Sequence, residues 1–187
     1  MQFSDDYLVE EVCSGSHLAF GLLMKRYERL VFRIAMNHVR NPDNAMDVTQ
    51  NVFMKTYQKL DSFTGSGPFR AWLLRIAYNE SLTWIRSQKK DYLNERLSEE
   101  NAPVLRAVPE GEVAKKEVQA MIQTALKALS SKQRLAISLR YFEGFSLREI
   151  STVLECSEGS VKSILFRSLE KLRNTVTFQR RGEYAQL

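Results

Sequence analysis

Residues 146–174 read SLREISTVLECSEGSVKSILFRSLEKLRN. Two helix starts are written into this stretch. Ser146 is followed three residues later by Glu149, the spacing of a capping box, in which each side chain bonds the other residue's backbone N–H. The helix it opens is predicted to end near Leu154. Glu155-Cys156-Ser157 makes a short turn, and Ser157 or Glu158 starts a second helix running to about Asn174. In that second helix Val161, Ile164, Leu165, Ser168, Leu169 and Leu172 recur at three- and four-residue steps and predict one buried stripe. The opposite face holds Ser160, Lys162, Ser163, Phe166, Arg167, Lys171 and Arg173. Two short helices joined by a tight turn in a basic segment predict a helix-turn-helix.

Working upstream, Ser130 or Ser131 caps a helix through about Phe142, and Gly144 ends it. Val118, Met121, Ile122, Ala125, Leu126 and Leu129 give a helical period over Val113–Leu129. Asp91–Gly111 has linker chemistry: Pro103 and Pro109, an acidic balance and no sustained period. Before it, four helices are predicted. Asp5–Cys13 is short and weak. Ser16 caps a long one that carries Leu18, Leu22, Leu23, Tyr27, Leu30, Val31, Ile34, Ala35 and His38. Asn41-Pro42-Asp43 stops it, and Asp43 or Asn44 opens a third with Ala45, Val48, Val52, Phe53, Thr56, Tyr57 and Leu60. After the loop DSFTGSGP (61–68), a fourth runs from about Phe69 to Lys90, with Leu73, Ile76, Ala77 and Trp84 on its apolar face. The fold class is all-α: two small helical domains, 1–90 and 112–187, joined by a flexible linker at 91–111, the second containing the helix-turn-helix. No strand is predicted.

Composition narrows the function. Of 187 residues 44% are hydrophobic, near the globular average. The two Cys, Cys13 and Cys156, form no disulfide framework and suit a reducing, cytoplasmic compartment. Both are expected to pack as small apolar residues. The two His, His17 and His38, have no metal-ligand partners at useful spacing, so neither a metal nor a cofactor is expected. No apolar run reaches the roughly 18–20 residues of a membrane span. The net charge of +5 is unevenly divided. Residues 1–90 carry 12 basic and 9 acidic side chains, 91–120 carry 4 and 7, and 121–187 carry 11 and 6. Two basic blocks therefore flank an acidic bridge.

Three faces carry candidate chemistry. On the last helix Ser160, Lys162, Ser163 and Arg167 suit the major groove, where N-terminal side chains meet base edges and later cations such as Lys171 meet phosphates. A solvated basic face is the plain alternative for such a helix taken alone. Glu158 fits either a helix N-terminus or a cytosine amino group. The fourth helix has a polar face of Arg75, Asn79, Leu82, Thr83, Arg86 and Lys90. Phe63, Phe69 and Trp72 lie around the Gly-containing loop before it. Cations with aromatics suit single-stranded nucleic acid, whose bases stack or flip; Phe69 and Trp72 equally fit a core. The third helix carries Asp47, Gln50, Asn51, Lys55, Gln58 and Lys59, a polar face that also suits a protein interface. No nucleophile–base pair and no phosphate-cradling loop appears, so no enzyme or small-molecule substrate is indicated.

The ordered segments FGLLMKRYERLVFRIA, DVTQNVFMKTYQKL, DSF…FRAWLLRIAYNES…WIR and ALSSKQRLAISLRYFEGFSLREISTVLECSEGSVKSILFRSLEKLR resemble the bacterial sigma-70-type RNA polymerase sigma factors of the short, extracytoplasmic-function group. The resemblance implies a first domain that binds the polymerase beta-prime clamp and melts the minus-ten element. It implies a second that binds the beta flap and reads the minus-thirty-five element. By position, Asp47, Gln50 and Phe53 match the clamp-binding segment. The loop from Asp61 to Phe69, with Phe63, matches the element that captures a flipped promoter base. Arg75, Asn79 and Arg86 match the helix along the melted strand, and Ser160, Lys162, Ser163, Arg167 and Lys171 the duplex-reading helix. The resemblance also implies an anti-sigma factor. Asn51 departs from the acidic residue frequent after the DxxQ glutamine, and Ile164 and Leu169 replace residues of a more basic recognition helix.

Reach is consistent with this. A 21-residue linker extends to roughly 70 Å at about 3.3–3.6 Å per residue, about two turns of DNA. Two other classes fit parts of the chain. A free-standing helix-turn-helix regulator leaves the third helix and the aromatic loop unused. A protein-interaction module would not distinguish promoter from random DNA.

Overall fold

Among the described residues every regular element is helical, and every α-helix except α4 starts after a side chain that accepts from a backbone N–H three residues on. The computed structural model describes residues 3–92, 126 and 128–184, with side chains through 88 and through 174 in the two long segments. The first segment holds α1 (Asp5–Cys13), α2 (His17–Val39), α3 (Pro42–Lys59), a 3-10 turn (Leu60–Ser62) and α4 (Phe69–Tyr92). The second holds α5 (Ser131–Ile137), a π turn (Ser138–Phe142), α6 (Leu147–Leu154) and α7 (Glu158–Tyr184). The predicted linker beyond Tyr92 and most of the predicted Val113–Leu129 helix lie outside the described residues.

Ser4, Ser16 and Asn41 cap α1, α2 and α3 through the backbone N–H three residues on. Asn41, not Asp43 or Asn44, therefore opens α3. Pro42 takes the first helical position, where its missing N–H costs nothing. Arg40 ends α2 in the left-handed region, φ 61°. The expected Ser146–Glu149 capping box closes, and a second one forms between Ser130 and Gln133. α5 passes into a π turn instead of continuing as an α-helix to Phe142. The end is then tied by Phe145 N–H to the Leu139 carbonyl, 2.9 Å, and by Gly144 at φ 67°.

In the first half α1, α3 and α4 pack on α2. Leu8, Leu23, Val31, Ile34, Val48, Val52, Leu73 and Leu74 are almost fully buried. Each such side chain contributes about 1.5–3 kcal/mol relative to exposure. The inner face of α4 includes Leu74 and Tyr78 as well as Leu73 and Ala77, while Ile76 and Trp84 are half-buried. In the second half α5, α6 and α7 surround Leu135, Leu139, Phe145, Ile150, Leu154, Val161 and Leu165. The buried hydroxyls Thr49, Thr56, Ser81 and Ser168 each donate to the carbonyl four residues back, at 2.6–2.7 Å, so none is left unpaired.

Several expectations are corrected. α7 runs to Tyr184, ten residues past Asn174. Leu169 is exposed, not part of the buried stripe. Ser168 is fully buried and Leu172 is partly buried against the core, so Leu169 lies at the edge of the stripe, turned towards the exposed face. Cys13 is exposed and Cys156 only half-buried. α4 also extends into the first two residues assigned to the linker.

Candidate nucleic-acid interface

Three surfaces emerge from this packing. The first is on α3. Its buried stripe (Ala45, Val48, Thr49, Val52, Phe53, Thr56) turns Phe53 into the core. The clamp-binding expectation for Phe53 is therefore corrected: it supports the helix from beneath. Asp47 and Gln50 are exposed on the other side, continued at helical spacing by the exposed Met54 and Tyr57. Tyr57 packs against Phe20 and His17 of α2, which ties this stripe to the exposed Leu18 and Leu22 nearby on α2. A polar–apolar stripe of this kind suits a protein partner. Sequence reasoning misses Met54 and Tyr57 in this role; their repeat with Asp47 and Gln50 is the signal that could find them.

The second surface is the start of α4 and the loop before it. Gly65, at φ 68°, turns the loop. Phe69 is only 1% exposed. It meets Tyr27, Phe63 and Trp72 in an aromatic cluster, ring centroids 5.6–5.9 Å away. Phe69 is thus core and cannot stack on a base, which corrects its placement among the minus-ten contacts. Phe63 and Trp72 are half-buried at the rim. At Tyr27 and Phe69 of this cluster opens a cleft of about 780 Å³, also lined by Asp6, Arg26, Ser66, Gly67 and Arg70 among others. Asp5 organises its wall, accepting from both the Arg26 guanidinium and the Tyr27 hydroxyl. Burial, then that bond to Asp5, pushes the Tyr27 phenol up, so it stays a neutral donor. The contribution of α1 to this wall is not legible from the weak period of residues 5–13.

Farther along α4, Arg75 and Arg86 are exposed and Asn79 is half-buried. Arg75 Nε donates to Glu155 Oε1 at 2.6 Å, and Asn79 Nδ2 to the same oxygen at 3.3 Å. The Arg75 guanidinium, then the Asn79 amide, hold the Glu155 carboxyl below the usual carboxylate range.

The third surface is α7. Ser157 caps it, with Ser160 N–H donating to Ser157 Oγ at 3.1 Å. Ser160, Lys162, Ser163, Arg167 and Lys171 are all exposed, as predicted. An open groove of about 720 Å³ runs between this helix and the start of α5, lined by Lys132, Gln133, Ser160, Ser163 and Arg167. Lys132 adds a cation from a second helix, which one-helix periodicity could not reveal. Glu158 lies exposed in the first turn of α7, where a carboxylate favours the helix dipole.

The Sigma-70 region 2 family matches residues 23–91, and the Sigma-70, region 4 family matches residues 119–172. An extracytoplasmic-function (ECF) RNA polymerase sigma-E factor of Haemophilus influenzae is 33% identical over 183 residues, covering 94% of this chain and 96% of that protein. The chain belongs to the ECF sigma-70 family. The Escherichia coli K12 sigma-E factor is also 33% identical, over 184 residues, with 94% of this chain and 95% of that protein covered. Among solved structures, CnrH in complex with the cytosolic domain of CnrY is similar with a TM-score of 0.65 and 26% identity, covering 92% of this chain and 97% of that one. The Bartonella quintana sigma factor RpoE bound to the anti-sigma factor NepR gives 0.70 and 25%, covering 84% and 96%. The all-helical architecture and the two-part organisation of a sigma factor thus agree with the sequence expectation. The function that goes with this membership is transcription initiation with RNA polymerase. Among the described residues no helix is long and apolar enough to cross a membrane.

Proposed function

We propose that this sigma factor binds core RNA polymerase through the Asp47–Gln50–Met54–Tyr57 stripe and acts in the cytoplasm on promoter DNA. In this reading residues 1–90 form the minus-ten domain and 112–187 the minus-thirty-five domain. Arg75, Asn79 and Arg86 track the melted strand. The cleft at Tyr27 and Phe69 receives an extruded base, whose lost stacking is offset by pocket contacts. Ser160, Lys162, Ser163, Arg167 and Lys171, with Lys132, meet the duplex. The exposed Tyr141 and Phe142 of the π turn and Phe166 of α7 suit a second protein contact, on the beta flap. The observation that carries this reading is the combination in one chain of an exposed α3 stripe with two separate cationic faces on α4 and α7. A lone helix-turn-helix regulator needs only the last.

The two similar structures bound to CnrY and NepR support control by an anti-sigma factor. The same exposed α3 and α7 faces offer it purchase. The deciding experiment is reconstituted transcription with core polymerase on a genomic fragment library. Promoter-dependent starts are expected, and their complete absence refutes the proposal. At residue level, Asn79→Ala is expected to impair strand opening, and Lys162→Ala or Arg167→Ala to weaken duplex binding. If all three transcribe normally, the site assignment is wrong.

A further inference from the structure

α1 walls the cleft but makes no contact in the function proposed above, and the Sigma-70 region 2 match begins only at residue 23. Its outer face carries two rings. Phe3, just before the helix, and Tyr7, in its first turn, are 47% and 44% exposed. They stack with centroids 5.1 Å apart and planes inclined by 21°. Among the described residues neither has a second ring partner, so each keeps one open face. The pair is fixed to α2. Arg26 Nη2 donates to the Phe3 carbonyl at 2.6 Å, Arg26 Nη1 donates to Asp5, and the Tyr27 hydroxyl donates to the other Asp5 oxygen. Ser4 Oγ accepts from the Tyr7 N–H at 3.2 Å, which sets the turn between the two rings. Phe3 and Asp6 line the cleft of about 780 Å³ that also meets Gly67, Phe69 and Arg70. Two of its charged pairs are closed: Asp5 with Arg26, and Arg70 with Glu149 at 2.6 Å, across the seam between the two halves. Asp6 is exposed and has no ion-pair partner among the described residues.

A fixed, half-exposed ring at the mouth of a cleft is a stacking platform for an unpaired base, because every base has a π-face. Being held by Arg26 and Ser4, it needs little ordering on binding. The free carboxylate beside it decides which base. An ionised carboxylate only accepts hydrogen bonds. Guanine presents two adjacent donors on its Watson–Crick edge, N1–H and N2–H, which match two carboxylate oxygens as a guanidinium fork does. Adenine and cytosine present one amino group beside an acceptor nitrogen. Thymine presents one N–H between two carbonyl oxygens, which repel a carboxylate. We propose that the base drawn into this cleft is guanine, stacked on Phe3 with Tyr7 behind it and held by Asp6 across its Watson–Crick edge. A free guanine nucleotide has the same edge. The helix Asp5–Cys13, however, carries Asp5, Asp6, Glu10 and Glu11 and no cation, which opposes a triphosphate there. A strand keeps its phosphates on the cations of α4 and offers α1 only the base, so the strand is the source. This inference rests on the reading of the cleft and of α4 as the strand-binding surface.

The test uses the full chain assembled with core RNA polymerase. The probes are fluorescent oligothymidylates of about 12 nucleotides whose central base is thymine, guanine or hypoxanthine, the last being guanine without its N2 amino group. Affinity is read by fluorescence anisotropy. The guanine probe should bind about tenfold tighter than the hypoxanthine probe, the share of one hydrogen bond to a charged group. Asp6→Ala should make these two equal. Phe3→Ala should weaken the guanine probe about tenfold, the lower part of the range for base–aromatic stacking, and Phe3→Trp should keep it, which separates stacking from loss of the fold. Free dGTP should fail to displace the guanine probe at concentrations at which the unlabelled oligonucleotide displaces it fully. Equal affinity for guanine and thymine probes overturns the inference, as does a guanine preference that survives Asp6→Ala or an affinity unchanged by Phe3→Ala. Displacement by dGTP as effective as by the oligonucleotide overturns the strand as the source. Arg86→Ala separates the two levels of failure. Binding that depends on Arg86 but ignores Phe3 and the central base overturns this inference alone, whereas binding that ignores Arg86 overturns the reading of α4 with it.

Discussion

Glu149 does two separable jobs, and substituting it should divide them. Its Oε2 accepts from the Ser146 N–H at 2.9 Å, closing the capping box of α6. Its Oε1 accepts from Arg70 Nε at 2.6 Å, across the seam. Burial alone would raise this carboxyl, but the Arg70 guanidinium and the Ser146 bonds outweigh it and hold it below the usual range. Loss of the cap costs about 1 kcal/mol. The pair lies between the surface and buried limits, because Glu149 is 9% exposed and Arg70 37%. It is therefore worth about 1–2 kcal/mol. Glutamine can keep the box, as Gln133 does for Ser130 in α5, with a 3.1 Å bond back to the Ser130 N–H. Glu149→Gln should thus cost about 1–2 kcal/mol and Glu149→Ala about 2–3 kcal/mol. Both Trp residues, Trp72 and Trp84, lie in the first half, so their fluorescence in urea reports the other side of the seam. With a slope of about 2 kcal/mol/M, the midpoint should fall by about 0.5–1 M for Gln. A double-mutant cycle with Arg70→Ala isolates the pair. A coupling energy within about 0.3 kcal/mol of zero, or equal damage from Gln and Ala, would refute this division.

Lys162→Ala and Arg167→Ala should each lower duplex affinity in the assembled holoenzyme and reduce its salt slope by about 0.9 for every phosphate left without its cation, read by fluorescence anisotropy between low and moderate salt. Leu74→Ala opens a void in a fully buried site and should destabilise the first half by about 2–5 kcal/mol, read by urea denaturation; no change would mean that α4 is not seated as described. Burial holds the His38 imidazole below its ordinary value of 6.5, against the opposing bond to the Ile34 carbonyl. The unfolded chain therefore takes up the proton first as pH falls, so stability should drop from pH 6.5 downward and level off below the depressed folded value. His38→Gln should flatten that part of the stability–pH curve.

The element plan is legible because starts and stops are local chemistry. Ser16, Ser130, Ser146 and Gly144 act where spacing and residue type put them. The cap of α3 lies two or three residues before its expected place because Pro42, which ends one helix, also opens the next. Site residues are legible in type but less so in direction. Phe53 and Phe69 have the chemistry of contacts and the burial of core, and a one-residue step around a helix decides which. Leu169 fits the period of the buried stripe but lies at its edge, between the buried Ser168 and the partly buried Leu172, and periodicity does not fix the width of the stripe. In sequence Glu155 is only part of a turn. Its role depends on Arg75 and Asn79, 80 and 76 residues away in sequence, and no local pattern reports that.

Net charge by block would push the two halves apart, since both are basic. They dock nonetheless because the charges are sorted by face. At the seam three arginines of the first half meet three glutamates of the second, Arg134 of the second half is hydrogen-bonded to Asn37, and Lys162 and Arg167 of α7 are exposed. The screening length at physiological salt is about 8 Å, so pairs at 2.6 Å dominate over the repulsion of distant like charges. Arg33 and Arg75 remain 43% and 51% exposed within their pairs. Such pairs are worth about 1 kcal/mol or less each, so a polyanion presenting many phosphates to α4 can displace them. Beneath these pairs the buried apolar residues of both halves form one continuous cluster, so burial holds the seam more than its half-exposed ion pairs do.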